Sequence, residues 1–139
     1  MTIKVGVIGI GNCCSSLVQG VTFYSSKDET KDHEGLVRTT IGGYSVSDVE
    51  FVCGFDVDRR KVGKTLKEAI VAKPNCTPML CDYDAIPDGP VIMMGKVSDG
   101  VAEHMKNVSE AEGFRVADKE SVDVVKVLRE TGVDMLINY

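Results

Sequence analysis

The stretch VGVIGIGNCCSS, from Val5 to Ser16, decides the fold. It begins as an apolar run typical of a buried strand, turns at Gly9-Ile10-Gly11, and continues in small and polar residues that suit a helix. A GxG at such a junction permits a tight bend, and the free amides of the following helix attract an anion. A dinucleotide fingerprint has a third glycine at position 14, where a small Cys14 can serve the same helix–strand packing. The stretch predicts a nucleotide-binding turn; a strand that merely ends in glycines is the alternative.

The rest of the chain alternates between strand and helix patterns. Apolar runs predict four strands, at Ile3–Ile8, Val49–Phe55, Val91–Met94 and Val133–Asn138. Helical spacing and capping residues predict helices over Asn12–Tyr24, over Arg59–Val71 capped by Asp58, up to about Asn107 capped by Ser98 or Asp99, and over Asp118–Thr131. Such apolar strands belong to a parallel sheet covered on both faces. We therefore expect one doubly wound, Rossmann-like α/β domain over residues 1–139, with a polar insertion at about 25–47.

Composition narrows the class of protein. A hydrophobic content of 43% and a charged content of 27% are ordinary for a globular domain. No apolar run would span a membrane and no export signal precedes the domain, so we expect a cytoplasmic protein without a membrane partner. The five cysteines form no CxxC pair, which predicts reduced thiols and no metal site. A net charge of −5 without a dense basic cluster argues against nucleic-acid binding.

Asp56, the last residue of VEFVCGFD, is the candidate for the second half of a dinucleotide site. An acid at the tip of the second strand accepts hydrogen bonds from ribose hydroxyls and repels a 2′-phosphate, so Asp56 favours NAD over NADP. The usual spacing after the glycines is about 20 residues, and the 25–47 insertion accounts for the greater distance here if it is a loop. The alternative is that Asp56 only begins a turn. We interpret Arg59, Arg60 and Lys61 as a solvated helix face, although they could reach a 2′-phosphate and keep NADP open.

Four blocks of the chain carry a family resemblance. They are GIGNCCSSLVQGV from Gly9, GGYSVSDVEFVCGFDVDRRKVGKTLKEAI from Gly42, GKVSDGV from Gly95 and SVDVVKVLRETGVDMLINY from Ser121. Together they resemble the myo-inositol-1-phosphate synthase (inositol-3-phosphate synthase) family, in particular its archaeal and bacterial branch. The match runs from Ile3 to Tyr139 and is looser between Pro74 and Pro90.

The resemblance implies a cofactor and a reaction. The family binds NAD in a Rossmann domain and converts D-glucose 6-phosphate to 1L-myo-inositol 1-phosphate by oxidation, aldol cyclisation and reduction, an isomerase reaction of inositol and phospholipid biosynthesis. The expected cofactor-binding residues of this chain are Gly9, Gly11, Asn12, Cys13, Asp56 and Asp99. Asn12 and Cys13 offer short donors beside the turn, and Asp99 either approaches the cofactor or only caps a helix.

Length is the departure from the family, whose members have roughly two to four times as many residues. The resemblance implies that the catalytic residues, the substrate-binding lysines and the sheet that builds a homo-tetramer lie beyond Tyr139. We therefore expect a truncated part of a two-domain protein, a fragment or a split-gene product, inactive alone. Two other functions remain open: another NAD-linked sugar- or polyol-phosphate dehydrogenase, and a non-catalytic nucleotide-binding module.

Overall fold

A computed structural model of the protein describes residues 1–28, 33–98 and 102–139. The strands are β1 (Ile3–Ile8), β2 (Thr40–Ile41), β3 (Tyr44–Ser45), β4 (Val49–Asp56), β5 (Ile92–Met94) and β6 (Met135–Asn138). The α-helices are α1 (Asn12–Ser25), α2 (Leu66–Val71) and α3 (Val124–Thr131). Short 3-10 helices span Val46–Asp48, Tyr83–Ala85 and Glu103–Asn107.

The main sheet has four parallel strands in the order β5-β4-β1-β6. In its centre, Val5 of β1 lies opposite Phe51 of β4 on one side and Met135 of β6 on the other. The first three parallel strands of the chain thus lie side by side, and the fourth returns to the other side of β1. This is the 3-2-1-4 part of the classical dinucleotide-binding sheet, whose strand order reverses beside β1. The predicted parallel α/β fold is confirmed.

The larger part of the core lies between the sheet and helices α1 and α2. It joins strand residues to helix residues: Val5, Val7, Ile10, Cys14, Val18, Leu66, Ala69, Ile70, Ile86 and Ile92. Gly6 and Cys53 lie opposite each other on β1 and β4, on the face away from Val5 and Val7, because side chains alternate along a strand. Helix α3 covers that second face, where the Thr131 hydroxyl lies 3.8 Å from the Cys53 sulfur. Helices therefore cover both faces of the sheet.

The helix predicted over Arg59–Val71 is wrong in its first half, because α2 begins at Leu66. Gly63 has a φ of +88°, which interrupts any helix there. Thr65 then caps α2 in a reciprocal capping box with Glu68, whose carboxylate accepts from the Thr65 N–H at 3.0 Å. Asp58, the predicted cap, lies in the preceding turn and holds Arg60 instead.

The two later helices are also shorter than predicted. Helix α3 begins at Val124, and its N-cap is Asp123, whose carboxylate accepts from the Lys126 N–H at 3.0 Å. Val122, which we expected inside this helix, instead donates its N–H to the Met94 carbonyl beside β5. The predicted helix up to Asn107 is only the 3-10 segment Glu103–Asn107. Its N-cap is Ala102 and not Ser98, and the other predicted cap, Asp99, lies outside the described residues.

The segment predicted as an insertion contains a small hairpin. Strands β2 and β3 pair through Gly42-Gly43, whose φ angles are +60° and +85°. Two successive positive φ angles suit a tight hairpin turn, and glycine adopts them without strain. Within the described ranges, no helix is both long enough and apolar enough to cross a bilayer.

Candidate dinucleotide-binding site

The glycine turn lies at the carboxyl end of β1, next to β4 and β6. Gly9 has a φ of +88°, its N–H donates to the Phe55 carbonyl at 2.8 Å, and a Cβ there would lie 3.1 Å from the carbonyl oxygen of Tyr139. Gly11 differs, because a Cβ added to it would meet no atom within 4 Å. Gly9 thus serves the bend itself. Gly11 leaves open space in front of the helix, where a ligand could approach the backbone.

Helix α1 begins directly after Gly11 and presents its first amides to that space. No side chain caps its N-terminus, and its first turn carries no acidic residue. The N–H groups of a first helical turn have no partner within the helix, and the helix dipole adds positive potential. Tyr139 donates its N–H to the Ile8 carbonyl at 3.0 Å, which places the turn where the strand order reverses between β1 and β6. Open α/β sheets bind ligands at this crevice.

The two cysteines at the start of α1 have different environments. Cys14, at the position of the third glycine, is fully buried in the core against the strands. Burial raises the pKa of its thiol to about 12. Cys14 is therefore a neutral packing residue at neutral pH. Cys13 is exposed beside the turn, where its side chain can contact a ligand.

The Asn12 side chain is already engaged by its own chain. Its carbonyl oxygen accepts from the Cys76 N–H at 2.8 Å and from the Thr77 hydroxyl at 2.9 Å. Further along the same helix, Gln19 accepts from the Leu80 N–H at 2.6 Å. Asn12 thus lies at the predicted place, but its side chain fastens the segment after α2 to α1.

Asp56 ends β4 beside the turn, and its carboxylate binds backbone N–H groups on two sides. Oδ2 accepts from Ile10 at 2.7 Å, while Oδ1 accepts from Val57 at 2.7 Å and from Asp58 at 2.8 Å. The side chain is only 11% exposed. Asp56, predicted as a ribose acceptor, organises the glycine turn, and a ribose hydroxyl would have to share its carboxylate with these amides.

The interpretation of Arg59, Arg60 and Lys61 as a solvated helix face is wrong, because no helix forms here and only Arg59 is solvated. Arg59 is exposed and pairs with Glu110. Arg60 is mostly covered and binds Asp58, and Lys61 is buried. The chain forms a turn here rather than a helix, which lets these side chains fold inward. None of the three extends freely towards the place of a 2′-phosphate.

Asp58 is the acidic centre of this turn. Both of its carboxylate oxygens accept from the Arg60 side chain, and Oδ2 also accepts from the Arg115 N–H at 3.3 Å. Burial raises the pKa of Asp58, but the hydrogen bonds and charge of Arg60 outweigh that effect and hold its pKa below the ordinary value. Asp58 therefore stays ionised and has a structural role.

A cavity of about 180 Å³ opens at the carboxyl edge of the sheet. Its lining joins the turn and Asp56 to residues after β5 and at the start of α3: Ile8, Gly9, Phe55, Asp56, Val57, Gly95, Lys96 and Val124. A larger cavity of about 580 Å³ lies elsewhere, between α1 and α2 beside the first residues of β4. We assign the site to the smaller cavity because Gly9 of the turn and Asp56 line it. Lys96, a cation at this edge, was not predicted as a site residue. Its position just after β5 could have indicated it, because residues that follow a parallel strand lie at the carboxyl edge of the sheet. The predicted site residue Asp99 lies outside the described residues.

Comparison with known proteins shows which proteins this chain resembles. The chain is 44% identical over 137 residues to the inositol-3-phosphate synthase of Mycolicibacterium smegmatis, 40% identical to that of Mycobacterium tuberculosis and 37% identical to that of Corynebacterium glutamicum. Each alignment covers 99% of this chain. The match is to the inositol-3-phosphate synthases. The family resemblance noted in the sequence is confirmed, although no family model matches the chain.

Solved structures support the fold in the same way. The crystal structure of Ari2 superimposes with a TM-score of 0.73 at 30% identity, over all of this chain and 38% of that one. A myo-inositol-1-phosphate synthase-related protein from Thermotoga maritima gives a TM-score of 0.68 at 21% identity, over 99% of this chain and 34% of its own. The chain spans about a third of the length of the inositol-3-phosphate synthases that it matches.

Proposed function

We propose that this chain binds NAD at the glycine turn and supplies the dinucleotide-binding part of an inositol-3-phosphate synthase. The observation that carries the proposal is the open space in front of Gly11, which faces the uncapped N-terminus of α1 at the reversal of strand order. The identity of the chain to inositol-3-phosphate synthases supports the choice of this dinucleotide enzyme over others.

In this proposal different residues contact different parts of the dinucleotide. The amides after Gly11, together with exposed Cys13, face the pyrophosphate, and Asn12 keeps the neighbouring segment in place. Asp56 faces the adenosine ribose from the cavity at the end of β4. NAD supplies hydride transfer when bound, and this chain's contribution is binding and orientation. Asp99 remains a predicted cofactor-binding residue.

A preference for NAD over NADP tests the proposed role of Asp56 at the adenosine ribose. Asp56 carries a negative charge at the cavity, and Arg59, Arg60 and Lys61 have partners of their own. A 2′-phosphate would therefore meet a carboxylate without a free cation from this turn. Calorimetric titration of the 139-residue chain should give tighter binding of NAD than of NADP. Tighter binding of NADP would contradict the assignment of Asp56.

Conversion of glucose 6-phosphate requires more than this chain provides. Binding a sugar phosphate and stabilising an enolate both call for positioned cations or dipoles. Among the described residues at the cavity, Lys96 is the cation available, since Lys61 is buried. Incubation of the chain with NAD and glucose 6-phosphate should therefore yield no inositol phosphate by chromatography. Turnover comparable to that of an intact synthase would refute this division of labour. A homo-tetramer of the whole protein remains a prediction from the family resemblance.

A non-catalytic nucleotide-binding module is the second candidate function. The supply of cations at the cavity favours it, because Lys96 is the single cation among the described lining residues that could bind a sugar phosphate. Adding the remaining part of a related synthase, fused after Tyr139, distinguishes the two functions. Production of inositol phosphate by the fusion supports the synthase, whereas NAD binding without turnover supports the module.

A further inference from the structure

The backbone N–H and carbonyl of Ile10, in the middle of the glycine turn, are both held by side chains. Its N–H donates to Asp56 Oδ2 at 2.7 Å. Its carbonyl oxygen accepts from Lys61 Nζ at 2.7 Å and from Asn75 Nδ2 at 3.1 Å. The side chain of Ile10 is fully buried in the core. Both backbone polar groups of Ile10 therefore have a side-chain partner from outside the turn.

Lys61 is the least expected of these partners, because buried lysines are rare unless they are paired. Its side chain is 5% exposed, and its ammonium also donates to Asn75 Oδ1 at 2.8 Å and lies 3.9 Å from Asp56 Oδ2. Burying an ammonium is costly, and this cost is tolerated where the charge is well hydrogen-bonded. The Lys61 ammonium divides its hydrogen bonds between the Ile10 carbonyl of the turn and the Asn75 side chain.

We propose that Lys61, with Asp56 and Asn75, forms a clamp that fixes the backbone on both sides of Ile10 and thereby aims the amides after Gly11 at a bound pyrophosphate. Lys61 is a positioning residue: it is too deeply buried to touch the ligand, and it acts through the carbonyl of Ile10. The inference rests on the proposed dinucleotide binding and extends it to a residue outside the glycine motif. The clamp explains how a turn with Cys14 in place of the third glycine keeps a defined shape.

The test compares two ligands that use different parts of the site. ADP-ribose carries the pyrophosphate, whereas adenosine carries only the part that faces Asp56 and the cavity. In the 139-residue chain, Lys61→Met should weaken ADP-ribose binding by about tenfold or more, the usual effect of losing a hydrogen bond to a charged group. Adenosine binding, followed by NMR titration, should change by less than about threefold. Lys64→Met, at an exposed lysine of the same turn, is the matched control and should change neither.

Hydrogen exchange provides a readout that needs no ligand. In Lys61→Met, the freed Ile10 carbonyl should loosen the turn and weaken the bond from the Ile10 N–H to Asp56. The Ile10 amide should then exchange about tenfold faster than in the unmodified chain, while amides in the middle of β4 keep their rates. Should Lys61→Met fail to fold, Asn75→Ala replaces it, because it removes one donor to Ile10 and leaves the lysine. Asn75→Ala should show the same pattern at smaller size.

The outcomes separate the clamp from the proposed function. Unchanged ADP-ribose binding in Lys61→Met, or an equal loss for both ligands, overturns the clamp, since the latter indicates a general effect on folding. If the unmodified chain binds neither ADP-ribose nor NAD, dinucleotide binding is refuted, and the exchange rate of Ile10 alone decides the clamp. Unchanged Ile10 exchange in Lys61→Met would then overturn it, and faster exchange would support it.

Discussion

Replacement of Asp56 by alanine should destabilise the domain strongly, in addition to any effect on ligand binding. The carboxylate accepts three backbone N–H groups, from Ile10, Val57 and Asp58, and lies 3.9 Å from the Lys61 ammonium. A hydrogen bond to a charged group contributes about 1.5–3 kcal/mol. Three such bonds are not additive, and water reaches part of this site. We therefore expect the free energy of unfolding to fall by roughly 3–5 kcal/mol.

Urea unfolding followed by circular dichroism measures this loss. With a slope of about 1.5 kcal/mol/M, a loss of that size lowers the midpoint by roughly 2–3 M. Glu50→Ala is the matched control, because Glu50 is an exposed acid on the same strand, and it should change stability by less than about 0.5 kcal/mol. A loss below about 1 kcal/mol in Asp56→Ala, together with weaker NAD binding, would refute the structural role and leave Asp56 as a ligand acceptor only.

Three further predictions follow from the same turn. Gly9→Ala should lower the free energy of unfolding by about 1–3 kcal/mol because of its positive φ and its close neighbour. Gly11→Ala should change the free energy of unfolding in urea by less than about 0.5 kcal/mol but weaken NAD binding. A larger loss of stability in Gly11→Ala than in Gly9→Ala would contradict the roles assigned to the two glycines. Folding lowers the pKa of Asp58, so its contribution to stability is present above an unfolded pKa of about 3.9 and is lost as the pH falls through the folded value. When unfolding is measured from pH 5 downward, the free energy of unfolding should therefore fall less in Asp58→Asn than in the unmodified chain. A maleimide at pH 7 should label exposed Cys13 in the native protein and spare buried Cys14 until urea is added. Mass spectrometry of peptides measures the labelling of each cysteine. Labelling of Cys14 before urea is added would contradict its burial.

Sequence patterns that span only a few neighbouring residues predict most of the fold. Apolar runs, a GxG between a strand and a helix, and an acid at a strand tip are local patterns that parallel sheets with dinucleotide turns require. The four main strands and α1 therefore lie where the sequence predicts them, within a few residues. The starts of α2 and α3 were predicted too early, because Gly63 and the extended segment before Asp123 outweigh helical spacing.

The sequence by itself determined the parallel sheet, the glycine turn and the resemblance to inositol-3-phosphate synthases, since these depend on local spacing and on long matching blocks. Only the tertiary structure decided what the charged side chains do. Lys61 looks like a surface lysine in sequence, yet the fold brings it under Ile10, 51 positions earlier in the chain. Asp56 and Asn12 likewise bind backbone groups from distant segments. Such partners are set by how strands and turns pack together, and the energy of a buried charge depends on those partners, which sequence spacing does not specify.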